Sequence, residues 1–148
     1  REGLSLARWP GRLQTTKWRG MPIIVDGAHN PHAANQLSVE RDVWTDQGSG
    51  ITWILGIQKR KDMIGILNQL IREKDLAWIV PVPGQQSWSK DQILSLCPEY
   101  KDQIQEALCV EEILSTLKKQ DRWPSPAPII SGSLYLIGDL FKRGILIS

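Results

Sequence analysis

Residues 23–37 read IIVDGAHNPHAANQL, and the fold is decided in them. Ile23, Ile24 and Val25 form a short β-branched run after Pro22, stopped by Asp26-Gly27, which is the pattern of a buried strand. Asn30-Pro31 then offers a helix N-cap followed by proline at the first helical position, where its missing N–H costs nothing. The stretch is a strand that feeds a helix through a polar turn carrying Asp26 and His29.

The same rhythm continues along the chain. The first helix is expected to run to about Trp44 and to end in the Gly48-Ser49-Gly50 loop. A second strand is expected over 51–57, and then a helix capped by Asp62, with Met63, Ile66, Leu67, Leu70 and Ile71 at helical spacing. A third strand is expected over 76–82, closed by Pro83-Gly84, and a short helix over 89–96. Val110, Ile113, Leu114 and Leu117 mark another helix. Pro124 to Pro128 reads as a linker, Ile129-Ile130 as a strand and 134–141 as a helix, with Ile145-Leu146-Ile147 near the end. Strands alternating with helices predict the α/β class, with right-handed crossovers and a mostly parallel sheet covered on both faces. In such sheets ligands bind beyond the carboxyl ends of the strands. Three polar turns are expected there, at 26–30, 56–62 and 131–133.

Composition bounds the function. A chain of 148 residues suffices for one domain with a proper core. A net charge of +2 gives no reason to expect nucleic acid or an anionic membrane as partner. No apolar run reaches the roughly 18 residues of a membrane span, and no export signal is seen, so a cytoplasmic setting is expected. Cys97 and Cys109 lack ligand spacing and read as reduced thiols. The seven tryptophans have no repeat spacing and read as core and surface filler, not as a platform for bases. Residues 1–20 read as the end of an interdomain linker with a Pro-Gly-Arg segment, in which Leu4, Leu6 and Ala7 look like the tail of a helix. Residues 21–148 read as the domain itself, a piece of a longer protein.

Common catalytic signatures are missing. There is no GxxxxGK[S/T] phosphate loop and no GxGxxG after a strand. His29 and His32 lack an obvious third metal ligand, and Ser133 lies outside any GxSxG elbow. Residue pattern alone gives a place for a site and no chemistry.

The motifs add the chemistry. WPGRLQ followed by IIVDGAHNPHAANQL closely resembles the start of the C-terminal domain of folylpolyglutamate synthase, often bifunctional with dihydrofolate synthase, in the Mur ligase superfamily. ILGIQKRKDM resembles that family's second-strand turn, and PIISGSLYLIGDLF its final strand and helix. The resemblance implies a Rossmann-like three-layer domain of the Mur ligase C-terminal type. It also implies an ATP-dependent amide ligase that activates a folate carboxylate as an acyl phosphate and joins L-glutamate to it. The implied partners are L-glutamate, a folate or dihydropteroate and the N-terminal ATPase domain of the same chain, in a monomer. That ATPase domain would carry the phosphate loop and the Mg2+ ligands, so this fragment alone is expected to be inactive. The other readings are a Mur peptide ligase of cell-wall synthesis and a non-catalytic nucleotide-binding module.

Residue by residue, the resemblance places Arg12 and Asp26 at ATP. A guanidinium forks onto phosphate oxygens, and a carboxylate at a strand end accepts from ribose hydroxyls. His29 matches the histidine that faces the reacting carboxylates and orients or binds glutamate. Ser133 and Lys61 match residues near the amino-acid substrate. Each has a plainer use as well: Arg12 as a turn arginine, Asp26 as a turn-former, His29 and Ser133 as helix-start residues. Arg60 stands where the family usually has an acid, giving Arg-Lys-Asp in place of Asp-Lys-Asp, which weakens the match at Lys61.

Overall fold

The structure, a computed structural model, describes residues 13–45 and 49–148, with only the backbone of Trp44. Arg12 and the helix tail expected at Leu4, Leu6 and Ala7 lie outside the described residues. Six strands form one sheet: β1 (Gln14–Trp18), β2 (Met21–Val25), β3 (Thr52–Leu55), β4 (Leu76–Ile79), β5 (Ile104–Glu106) and β6 (Ile129–Ser131). Among the described residues five α-helices surround it: α1 (Pro31–Trp44), α2 (Met63–Leu70), α3 (Lys90–Leu96), α4 (Val110–Lys118) and α5 (Leu134–Lys142). The strand order is β1-β2-β6-β3-β4-β5, parallel throughout except for the β1–β2 hairpin.

Strand alternation divides the interior into two cores. Trp53, Leu55 and Ile129 point to one face, where they meet Ala34 and Leu37 of α1, Met63, Ile66, Leu67 and Leu70 of α2, and Ile93 of α3. Ile54 and Ile130 point to the other, against Ile113, Leu114 and Leu117 of α4 and Ile137, Leu140 and Phe141 of α5. The result is the expected three-layer α/β/α arrangement. The expected caps are also present: Asn30 Oδ1 accepts from Ala33 N at 2.8 Å, and Asp62 Oδ1 from Gly65 N at 2.9 Å. Ser89 and Gln92 add a reciprocal capping box at α3.

Two strands were not legible in the sequence. β1 carries only one large apolar residue, Trp18, and is stitched to β2 by its ladder and by Thr16 Oγ1 donating to Ile23 O at 3.2 Å. Part of the stretch read as linker therefore belongs to the sheet. β5 is an edge strand of three residues in which Ile104 alone is buried. The terminal apolar run contributes a single antiparallel bridge, Lys17 to Ile147.

The amino ends of β3 and β4 are tied together by one carboxylate. Asp75, 1% exposed, accepts from Arg41 at 2.6 and 2.8 Å, Ile51 N at 2.9 Å, Trp53 Nε1 at 2.9 Å and Arg72 N at 3.0 Å. Burial pushes this carboxyl's pKa up. The hydrogen bonds from Arg41, Ile51, Trp53 and Arg72 outweigh that and hold it below the usual range. A carboxyl whose folded pKa is depressed stabilises the fold fully above its unfolded pKa of about 4, and this is lost as pH falls through the lower folded value. Asp75→Asn leaves the Arg41 guanidinium buried without its counter-charge, a loss of about 3–5 kcal/mol. Urea unfolding at pH 7 is expected to show that loss, and the gap between variant and wild type is expected to narrow below about pH 4.

Candidate functional site

The topology selects one crevice. The chain moves outward along the sheet through α1, α2 and α3 on one face, then returns through α4 on the other and inserts β6 between β2 and β3. Connections from β2 and β3 leave toward α1 and α2, whereas β6 leaves toward α5 on the opposite face. Neighbouring strands whose exits part in this way open a cleft at their carboxyl ends.

Two glycines let the strands approach there. Gly132 has φ +100°, and a Cβ on it would lie 2.6 Å from the carbonyl oxygen of Gly56; a Cβ on Gly56 would meet the Leu136 side chain at 2.9 Å. The β2 turn is tied to the same point, because Ala28 O accepts from Gly132 N at 2.9 Å and from Ser131 Oγ at 3.3 Å. Ala28 N in turn donates to Asp26 Oδ1 at 2.9 Å.

A cavity of about 160 Å³ lies at this junction, lined by His29, Gln58, Arg60, Lys61 and residues 132–135. Three residues singled out from the sequence, His29, Lys61 and Ser133, therefore meet in one place. Asp26 is buried at the end of β2 and is not among the lining residues. His32 is exposed on the first turn of α1.

Each group has a defined chemical posture. His29 is half-buried, and its Nδ1 lies 2.7 Å from Gly27 O. A carbonyl can only accept, so Nδ1 carries a hydrogen, and in that tautomer Nε2 is the acceptor. Ser133 is the N-cap of α5, its Oγ accepting from Tyr135 N at 3.1 Å and Leu136 N at 3.3 Å, which leaves its O–H proton to donate. Lys61 is half-buried in the β3–α2 turn, where its N–H donates to Gln58 O at 3.0 Å. Arg60, the residue that departs from the family pattern, lines the cavity beside it. The lining thus holds two cations and no carboxylate, next to the positive end of a nine-residue helix. Its volume is below the roughly 300–1,000 Å³ of pockets that take drug-sized ligands. The arrangement suits a small anion of amino-acid size and is too small to hold a nucleotide.

Sequence reading missed Gln58, Arg60 and Tyr135 as cavity residues. The available signal was positional: Gln58 follows the apolar run at 51–57 and falls in a turn already assigned to the ligand edge. Among the described residues no group of three or more His, Cys, Asp or Glu could hold a metal ion. No helix among them is long and apolar enough to cross a membrane.

Fold and site define an α/β domain with a small cavity, lined by two cations and no carboxylate, at the switch point of a mostly parallel sheet. The chain belongs to the family described as dihydrofolate synthetase, C-terminal domain, which it matches over residues 11–143. It is 34% identical to folylpolyglutamate synthase of Lacticaseibacillus casei over 139 residues, 92% of this chain and 30% of that protein. It is 29% identical to a probable dihydrofolate synthetase of Schizosaccharomyces pombe over 154 residues, 95% of this chain and 35% of that protein. It also superposes with a TM-score of 0.67 on a bifunctional folylpolyglutamate synthase/dihydrofolate synthase crystallised with Mn, AMPPNP and L-glutamate, at 28% identity over 93% of this chain and 32% of that one. The chain spans about a third of the length of the curated relatives it matches.

The glycine contact is directly testable. Gly132→Ala forces a Cβ against Gly56 O in a left-handed backbone conformation. It is expected to lower the unfolding free energy by about 1–3 kcal/mol in urea titrations. Gly20→Ala has the same handedness without the collision, and only the conformational cost is expected there.

Proposed function

We propose that this chain is the C-terminal domain of an ATP-dependent ligase that joins L-glutamate to a folate, or to dihydropteroate, through an acyl phosphate. The observation that carries the reading is the meeting of His29, Lys61 and Ser133 on a small cavity with cations and no carboxylates. Family membership and the L-glutamate-bound relative support it.

In this reading a carboxylate oxygen of the folate attacks the γ-phosphorus of ATP, and ADP leaves. The amine of L-glutamate then attacks the acyl carbon, phosphate leaves, and the nitrogen gives up a proton as the amide forms. The work of this domain is to hold the amino acid. Lys61 and Arg60 neutralise a carboxylate, while the Ser133 hydroxyl donates to the other at the positive end of α5. His29 Nε2 accepts from the amine and aims its lone pair at the acyl carbon. Asp26 and Arg12 are assigned to the nucleotide. Magnesium would serve ATP from ligands in the ATPase domain; among the described residues no group of three or more His, Cys, Asp or Glu could hold it. A cytoplasmic monomer completes the proposal.

The test is L-glutamate- and ATP-dependent phosphate release by the longest natural polypeptide that carries this domain. Dihydropteroate, a reduced folate and a UDP-linked muramic acid acceptor would be compared. Release with either pterin is the expected result and tells which of the two activities the enzyme has. Release with the muramic acid acceptor alone would overturn the folate assignment. In the same assay His29→Ala is expected to lower kcat/KM for L-glutamate about 2–10-fold, the value of one hydrogen bond between neutral groups.

A further inference from the structure

The outer face of α5 carries apolar residues that the fold does not bury. Leu136, Ile137, Leu140 and Phe141 pack into the core, whereas Leu134 and Tyr135 are 48% and 58% exposed. With Gly138, Asp139 and Lys142 from the same helix face, and Pro83 from the β4–α3 loop, they line an open groove of about 590 Å³. Gly138 is the informative residue. A glycine inside a helix is destabilising relative to alanine, so its presence calls for a reason. At Gly56, Gly65 and Gly132 an added Cβ would collide with neighbouring atoms, which is reason enough. At Gly138 a Cβ would meet nothing within 4 Å. The fold does not require this glycine; a ligand lying close across the helix would.

Position indicates which ligand. Leu134 and Tyr135 line the small cavity as well as the groove, so the two spaces are continuous. From that shared wall the groove follows α5 as far as Lys142, roughly 12 Å at 1.5 Å per residue. Its volume falls in the roughly 300–1,000 Å³ range of small-molecule sites. The carboxylate in its lining is neutralised, because Arg143 Nε donates to Asp139 Oδ2 at 2.9 Å. A ligase that seats an amino acid in the cavity must bring the acceptor's carboxylate to the same place, and the rest of the acceptor then leads away from it. We propose that the groove binds the aromatic body of that acceptor, its aryl ring stacked on Tyr135 and passing over the bare backbone of Gly138. Stacking reads a flat ring, so the groove takes the aryl-carbonyl portion that dihydropteroate and the folates share. This inference rests on the ligase reading and adds where the second substrate lies.

The experiment is steady-state phosphate release by the longest natural polypeptide that carries this domain, for wild type, Gly138→Leu, Tyr135→Ala and Tyr135→Phe. ATP, L-glutamate and the acceptor are varied in turn, the acceptor being whichever of dihydropteroate and a reduced folate the wild type turns over. Thermal unfolding of the same proteins is followed in parallel. Gly138→Leu fills the groove from a position where the fold leaves open space. It is expected to raise KM for the acceptor at least about tenfold, to leave KM for L-glutamate and ATP within about twofold, and to keep the melting temperature equal or higher. Tyr135→Ala is expected to raise the acceptor's KM about 3–10-fold, and Tyr135→Phe, which keeps the ring, to leave it within about twofold. An unchanged acceptor KM in Gly138→Leu would overturn the groove as the acceptor site while leaving the ligase reading standing. So would KM values raised alike for all three substrates, which would assign the groove to another part of the polypeptide packed on α5. A lowered melting temperature in Gly138→Leu would show that the fold needs the glycine and would overturn the inference as well. Wild-type release that does not depend on a pterin acceptor would remove the folate-ligase reading, and this inference with it.

Discussion

The site depends on the contact between Gly132 and Gly56. β6 and β3 run side by side and must leave the sheet toward opposite faces, so their first residues beyond the ladder pass closer than side chains allow. Glycine at both positions removes the obstacle, and the positive φ of Gly132 turns the chain into α5 at once. Ser133 then caps that helix at the floor of the junction, while the β2 turn is fastened to the same point through Ala28 O. The cavity is the space left where three turns are drawn to one backbone contact.

A buried carboxylate organises the other end of the strands. Asp75 gathers five hydrogen bonds from α1, β3 and its own turn at the amino ends of β3 and β4. A buried ion pair of this kind is costly to form and more costly to break, so it fixes how α1 docks on the sheet.

Charge at the cavity follows from sequence in an unexpected way. Arg60, where the resemblance led us to expect an acid, lies on the same cavity as Lys61. The cavity therefore carries two positive charges from one turn. Arg60 does not dislodge the turn, whose following helix is still capped by Asp62.

Much of this protein could be read from its residues. Period-two and helical spacing, the Asn30-Pro31 and Asp62 caps, and the alternation of strands with helices depend on local chemistry, and they gave the α/β class and the edge where ligands bind. The edge strands β1 and β5 were not legible, because an edge buries few side chains and is held by main-chain pairing that leaves little pattern in the sequence. The Arg41–Asp75 pair, 34 residues apart, was equally silent. Only the tertiary structure decided that β6 inserts between β2 and β3, and that insertion brings His29, Gln58, Lys61 and Ser133 around one cavity. Local spacing specifies elements one at a time. Which of them become neighbours is set by burying both faces of the sheet together, a constraint on the whole chain that is written in no single stretch of it.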